Sequence, residues 1–287
     1  MEIKTTKLRA VFDPGTNNFS VLQNLVTGDN YIKTAPAGPV ITLYSIQKGK
    51  KIELLPGAPD IVKRGNTLDI QYREFHCKPA GAVFRVNALL KVKAEDDRLI
   101  LSVSVENPDE PEITEILSPR LGGIVLGTDY RDDIIIFPHH AGEKTINPVR
   151  GYGYDKKDFC RAGSVRYENF FRREINYCGL ASMSWMYYYD GQNGLYFGSH
   201  DPRFPVTGII AETSGDAENP WMGFAFRKYH RICKGEKYDA GEYIIAVSDR
   251  DWHYGSELYR SYIAPYLDFS HNPDFLSDEY ALNQCYN

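Results

Sequence analysis

The sequence predicts an all-β protein: a large two-layer antiparallel β-sandwich with one C-terminal linker helix. Three observations carry this reading. Apolar and polar residues alternate over short runs through most of the chain, the period of a half-buried strand. Turn-forming clusters of Asp, Asn, Gly and Pro separate those runs at hairpin spacing. Helical periodicity is concentrated in one late window, residues 251–263, where Tyr254, Leu258 and Tyr262 recur every four positions.

Taken in order, residues 7–12 form a first strand that ends in the turn Asp13-Pro-Gly-Thr-Asn-Asn18, and residues 19–22 return from it. Residues 67–75 alternate cleanly, with Leu68, Ile70 and Tyr72 on one face. Residues 84–92 and 99–105 pair around an acidic tip, Glu95-Asp-Asp-Arg98. Residues 123–126 and 133–137 are expected to form a further pair, with Asp132 and Asp133 in a solvated turn at its start. Residues 138–174 are irregular and rich in Gly, Tyr and charge, and read as a long excursion over one sheet. Residues 181–189 and 194–198 meet across Asp190-Gly-Gln-Asn193, a hairpin signal. Residues 221–226 and 243–247 supply later strands, and Asp251 is placed to cap the helix that starts near Trp252. Roughly sixteen strands exceed an immunoglobulin-type count, so a larger double sheet fits better. The expected division is a sandwich over residues 1–251 and a helical linker over 252–287.

Composition narrows the partners. The formal net charge of -5 argues against nucleic acid or an anionic membrane. The N-terminus has no apolar signal segment and no run is long enough to span a bilayer, which leads to the expectation of a cytoplasmic protein. The 21 Tyr and 14 Phe suit both strands and sugar-binding surfaces, since aromatic rings offer flat apolar faces and Tyr adds a polar tip. Five Cys at irregular spacing give no disulfide framework. The pairs His76-Cys77 and His230 with Cys233 are half-sites at most, so neither a metal nor a cofactor is expected.

Four phrases in order carry a resemblance: Asn24-Leu-Val-Thr-Gly-Asp-Asn-Tyr31, Pro138-His-His-Ala-Gly-Glu-Lys-Thr-Ile-Asn-Pro148, Asn193-Gly-Leu-Tyr-Phe-Gly-Ser-His-Asp-Pro202 and Trp252-His-Tyr-Gly-Ser-Glu-Leu-Tyr-Arg260. Together they resemble the N-terminal β-sandwich of glycoside hydrolase-like proteins of the DUF6259 group. The resemblance implies a galactose mutarotase-like supersandwich that precedes a (β/α)8 barrel. It also implies that the catalytic carboxylates lie on the barrel. The expected function is therefore that of a non-catalytic front module of a carbohydrate-active enzyme. The alternative is a stand-alone mutarotase- or epimerase-like sugar-binding protein.

Candidate sugar-binding residues are His139 and His140, which follow an apolar strand, and His200, Asp201 and Arg203 at the end of another. These supply donors, an acceptor and a planar fork for hydroxyls. Adjacent His139 and His140 are expected to point apart if the segment is extended. The stripe Trp252, Tyr254, Leu258 and Tyr262 is the expected interface with the barrel or with a second copy of the chain. Phe269, Phe275, Leu276 and Tyr280 are expected to leave an apolar patch near it.

Overall fold

A computed structural model describes residues 1–78, 81–109, 111–153, 164–268 and 270. The expected apolar patch at Phe269, Phe275, Leu276 and Tyr280 lies outside the described residues. The chain begins with a three-stranded antiparallel sheet of β1 (Glu2–Lys4), β2 (Leu8–Asp13) and β3 (Asn18–Asn24). The β2–β3 hairpin closes at Asp13 and Asn18, as the turn cluster predicts.

The remaining strands form one very large antiparallel sheet that folds over on itself as two layers. The first layer runs through β12 (Glu143–Ile146), β11 (Ile134–Phe137), β15 (Trp185–Tyr189), β16 (Gly194–Ser199), β19 (Glu236–Ser248), β9 (Arg98–Asn107), β8 (Val83–Glu95) and β7 (Thr67–Lys78), with β6 (Asp60–Arg64) on β7. The second runs through β5 (Lys50–Pro56), β4 (Thr42–Gln47), β10 (Ile113–Ile124), β18 (Met222–Ile232), β17 (Thr207–Thr213), β14 (Phe171–Tyr177) and β13 (Ser164–Arg166). The pairing of β5 with β7 joins the layers. Rings from both interlock between them: Phe226 lies 4.7 Å from Phe197 and 5.3 Å from Tyr243, and Phe224 lies 5.5 Å from Tyr188. Strand alternation then decides which side chains face this core and which face away from it.

The hairpins at residues 95–98 and 190–193 form as expected. Two expectations fail. Residues 123–126 do not pair with 133–137; β10 lies between β4 and β18, and β11 pairs with β12 and β15. Both runs are apolar, and periodicity names a strand without naming its neighbour. Asp133 is not a solvated turn residue. It is fully buried, accepts a hydrogen bond from the Tyr188 hydroxyl, and burial pushes its carboxyl up to about 8. The excursion at 138–174 is also partly regular, containing β12, the short helix α1 (Pro148–Tyr152), β13 and the start of β14.

Helix α2 (Trp252–Ile263) is capped by Asp251, whose carboxylate accepts from the His253 amide at 3.1 Å. Its apolar stripe packs on the outer face of the first layer. Tyr254 and Tyr259 are buried against Trp185, Tyr187 and Tyr196, with Trp252, Leu258, Tyr262 and Ile263 half-buried around them. Gly255 makes the close approach possible: a Cβ there would fall 2.8 Å from the Tyr187 ring and 2.9 Å from that of Trp185. Gly255→Val is therefore expected to loosen the helix at a cost of about 1 to 3 kcal/mol. A red-shifted tryptophan emission and faster proteolysis after residue 250 would report it; a variant with unchanged emission and digestion would show that the helix tolerates the added volume. No helix among the described residues is long and apolar enough to cross a membrane.

Candidate functional site

A concavity of about 570 Å³ opens on the face of the second layer that points away from the core. Its floor follows from alternation. On β18, Phe224 and Phe226 face the core, so Ala225 and Arg227 face outward. On β17, Ile209 and Ala211 face inward and Glu212 outward. On β14, Ile175 and Arg173 face inward and Arg172 outward. Arg120 from β10 and Tyr44 from β4 complete the floor, and residues 167–170 form a wall.

Charge here is held by pairing. Glu212 is fully buried and accepts from Arg120 Nε at 2.8 Å and from Arg172 Nε and Nη2 at 2.8 and 2.6 Å. Burial alone would raise its pKa, but the two guanidiniums outweigh that and hold it below the ordinary value. Glu115 accepts from Arg227 at 2.7 Å and Lys51 at 2.6 Å, and Arg227 Nε lies 2.9 Å from Glu174. Over these cations lie aromatic rings. Tyr167 and Phe170 stack at 4.8 Å with the Arg172 guanidinium 4.8 Å from the Tyr167 ring, and Arg227 sits 5.2 Å from Tyr44. Glu53 and Lys78 stand at the mouth, and the Tyr44 hydroxyl donates to Glu53. The result is a polar, ring-walled cleft with its strongest charges fixed in place, suited to a ligand with hydroxyls and apolar C–H faces.

The residues singled out in the sequence lie elsewhere, in two further clusters. His139 and His140 do not point apart. His140 adopts a left-handed φ of 52°, which folds the segment and brings the two rings to 4.2 Å. Arg173 makes a fork with Glu143, two bonds of 2.6 Å, and its Nη2 is 3.1 Å from His139 Nδ1. Burial, then the Arg173 charge, pulls His139 below its usual range. Because Arg172 and Arg173 are adjacent on one strand, this cluster lies on the opposite face of β14 from the large cleft.

His200, Asp201 and Arg203 gather under helix α2. His200 Nε2 is 2.8 Å from the Tyr196 hydroxyl, and its ring stacks on Tyr262 at 4.2 Å. Asp201 accepts a fork from Arg203, two bonds of 2.9 Å, and faces the fully buried Lys228 at 3.4 Å. Lys228 also donates to Thr207 at 2.8 Å, and burial pulls its pKa down to about 8. The helix covers His200, while Pro202 and Arg203 remain exposed. The half-site residues His230 and Cys233 part company as well: His230 stacks on Tyr238 at 3.8 Å. Cys77, Cys178 and Cys233 are free thiols, and no metal-binding group of His, Cys, Asp or Glu occurs among the described residues.

The cleft residues Arg120, Arg172, Glu212 and Arg227 escape a motif search because they come from four separate strands. For Glu212 and Arg227 the one sequence signal is a charge that follows an apolar run, as in Ile209-Ile-Ala-Glu-Thr213 and Phe224-Ala-Phe-Arg227.

No protein-family model matches the chain, and no curated protein matches it. Solved structures do. A galactose mutarotase-like protein from Lactobacillus casei is 11% identical, with a TM-score of 0.52 over 86% of this chain and 99% of that one. A galactose mutarotase related enzyme from Lactobacillus acidophilus is 7% identical, with a TM-score of 0.54 over 88% and 98%. The α-N-acetylgalactosaminidase NagBb from Bifidobacterium bifidum, solved as a GalNAc complex, is 11% identical, with a TM-score of 0.56 over 93% of this chain and 39% of that one. The chain thus has a galactose mutarotase-like sandwich with a C-terminal helix. The fold occurs both in stand-alone epimerase-like proteins and within a longer glycoside hydrolase.

Proposed function

We propose that this chain is a non-catalytic sugar-binding module of a carbohydrate-active enzyme, that its cleft is the one floored by Arg120, Arg172 and Arg227, and that a (β/α)8 catalytic domain of the DUF6259 kind is its partner. The observation that carries this is the pairing of the two carboxylates that hold the cleft's arginines, Glu212 and Glu115. Glu212 is locked by two guanidiniums and Glu115 is shared by two cations, so neither is free to take or give a proton during a turnover. The rings of Tyr167 and Phe170 supply the stacking faces. The half-exposed edge of α2, at Trp252, Leu258 and Tyr262, is the surface proposed to meet the partner domain.

The expected result is saturable binding of galactosides by calorimetry, weakened about tenfold or more in Tyr167→Ala combined with Phe170→Ala. Galactose anomerisation, followed by polarimetry, is expected to proceed at the buffer rate. No binding by any sugar, with the fold intact, would remove the proposal.

The near-complete coverage of stand-alone mutarotase-like chains favours a second reading, a mutarotase of its own. Its proton-transfer groups would be His139 with Glu143, 3.4 Å apart, since His200 lies under Tyr262. Accelerated anomerisation that disappears in His139→Ala would decide for this reading.

A further inference from the structure

The charges at the back of the cleft do not balance locally. Arg120 and Arg172 share one carboxylate, that of Glu212, which leaves one positive charge over. Arg120 is only 5% exposed, yet of its guanidinium only Nε is bonded to Glu212. Its Nη2 is buried with no partner among the described residues. Buried polar groups are almost always satisfied, and buried charges are paired, so an orphaned guanidinium N–H calls for a partner that the described residues do not supply. The chain has made room for this arrangement. A Cβ on Gly38 would fall 2.1 Å from Arg120 Nη1, so only glycine lets the guanidinium lie here. Lys78 also lines the cleft as a further cation, together with the carboxylates of Glu53 and Glu168.

We propose that the cleft takes an acidic sugar, a uronic acid residue, whose carboxylate is received by the unpartnered Nη2 of Arg120. This rests on the sugar-binding reading above and narrows it. A planar guanidinium is the side chain best matched to a carboxylate, and a charge-assisted bond is about twice as strong as a neutral one. A ligand carboxylate supplies both things missing at the back of the cleft: an acceptor for the buried N–H and the second negative charge for two arginines. The rings of Tyr167 and Phe170 stand beside this point, where they can cover the C–H face of the same sugar ring.

The test compares D-galacturonate, its methyl ester, D-galactose and acetate by calorimetry on the same chain, with thermal unfolding as a check of the fold. Galacturonate is expected to bind about tenfold or more tightly than either the ester or galactose. That preference should vanish in Arg120→Gln, where Arg172 and Glu212 remain as a balanced pair. Arg120→Lys, which keeps the charge and loses the fork, should fall between, and gives a readout if the Gln variant unfolds. Equal affinity for galacturonate, ester and galactose would overturn the acidic-sugar proposal and leave the sugar-binding reading standing. Acetate binding as tightly as galacturonate, with no binding of galactose, would overturn both, as would no binding of any of the four.

Discussion

Glu212→Gln is expected to destabilise the protein by about 3 to 5 kcal/mol, lowering its melting temperature by roughly 6 to 20 °C. The carboxylate is fully buried between Arg120 and Arg172. Removing its charge leaves two guanidiniums in the interior of a sheet face with nothing to neutralise them. The loss comes from the stranded cations, since taking one partner from a buried pair costs far more than the pair contributes. A replacement of all three residues by apolar side chains of similar volume is accordingly expected to recover most of that stability while abolishing ligand binding. Thermal unfolding of the single and triple variants measures both. A Glu212→Gln protein that melts with the wild type would mean that the arginines reach solvent and that the site is not buried as described.

The second large effect is a response to acid. His200 is held neutral by burial beneath Tyr262 and, secondarily, by the Arg98 charge, which together pull its pKa down to about 3. An unfolded chain takes up that proton near pH 6.5. Between these values the unfolded state binds more protons, so this residue's contribution is full above pH 6.5. It then declines by about 1.4 kcal/mol for each pH unit below that, down to the folded pKa. Asp133 acts in the opposite sense. Its raised pKa means that the folded protein keeps a proton which the unfolded chain loses near pH 3.9, so its contribution declines as pH rises toward about 8. The two slopes overlap, and the clean measurement is a difference. Denaturant unfolding of wild type and His200→Gln at pH 7 and pH 4.5 should show the variant losing less stability on acidification. Asp133→Asn should lose less on going from pH 5 to pH 8. Parallel profiles for wild type and His200→Gln would show that the imidazole is already charged in the folded state, and that α2 does not seal it.

Local rules read directly from the chain account for much of the architecture. The turn at 13–18, the acidic tip at 95–98 and the hairpin at 190–193 close where their residue types place them. Asp251 caps the helix that starts at Trp252, and Tyr254 of the expected stripe is buried with Tyr259, while Leu258 and Tyr262 are half-buried. These features depend on neighbours a few residues away, so backbone chemistry and periodicity suffice to define them. The sandwich itself follows from strand alternation and from the absence of helical windows before residue 251.

What only the tertiary structure decided is partnership at long range. Nothing local tells Gly123 and Ile124 that they end β10 beside Met222 of β18, because any apolar strand can bury its face on any other. Asp133 looked solvated beside Asp132, and the position of Tyr188 some fifty residues later puts it in the core. His139, His140 and His200 were legible as polar residues at strand ends, yet whether such residues open to ligand or are sealed depends on what packs over them. Here α2 packs over His200 and Arg173 packs against His139, while His140 stays exposed. The cleft is the extreme case. Arg120, Glu212, Arg172 and Arg227 lie on four strands spread over more than a hundred residues. Alternation within a strand fixes which face each side chain takes, but only the order of strands in the folded sheet sets two arginines on one carboxylate and leaves one of them with a nitrogen to spare.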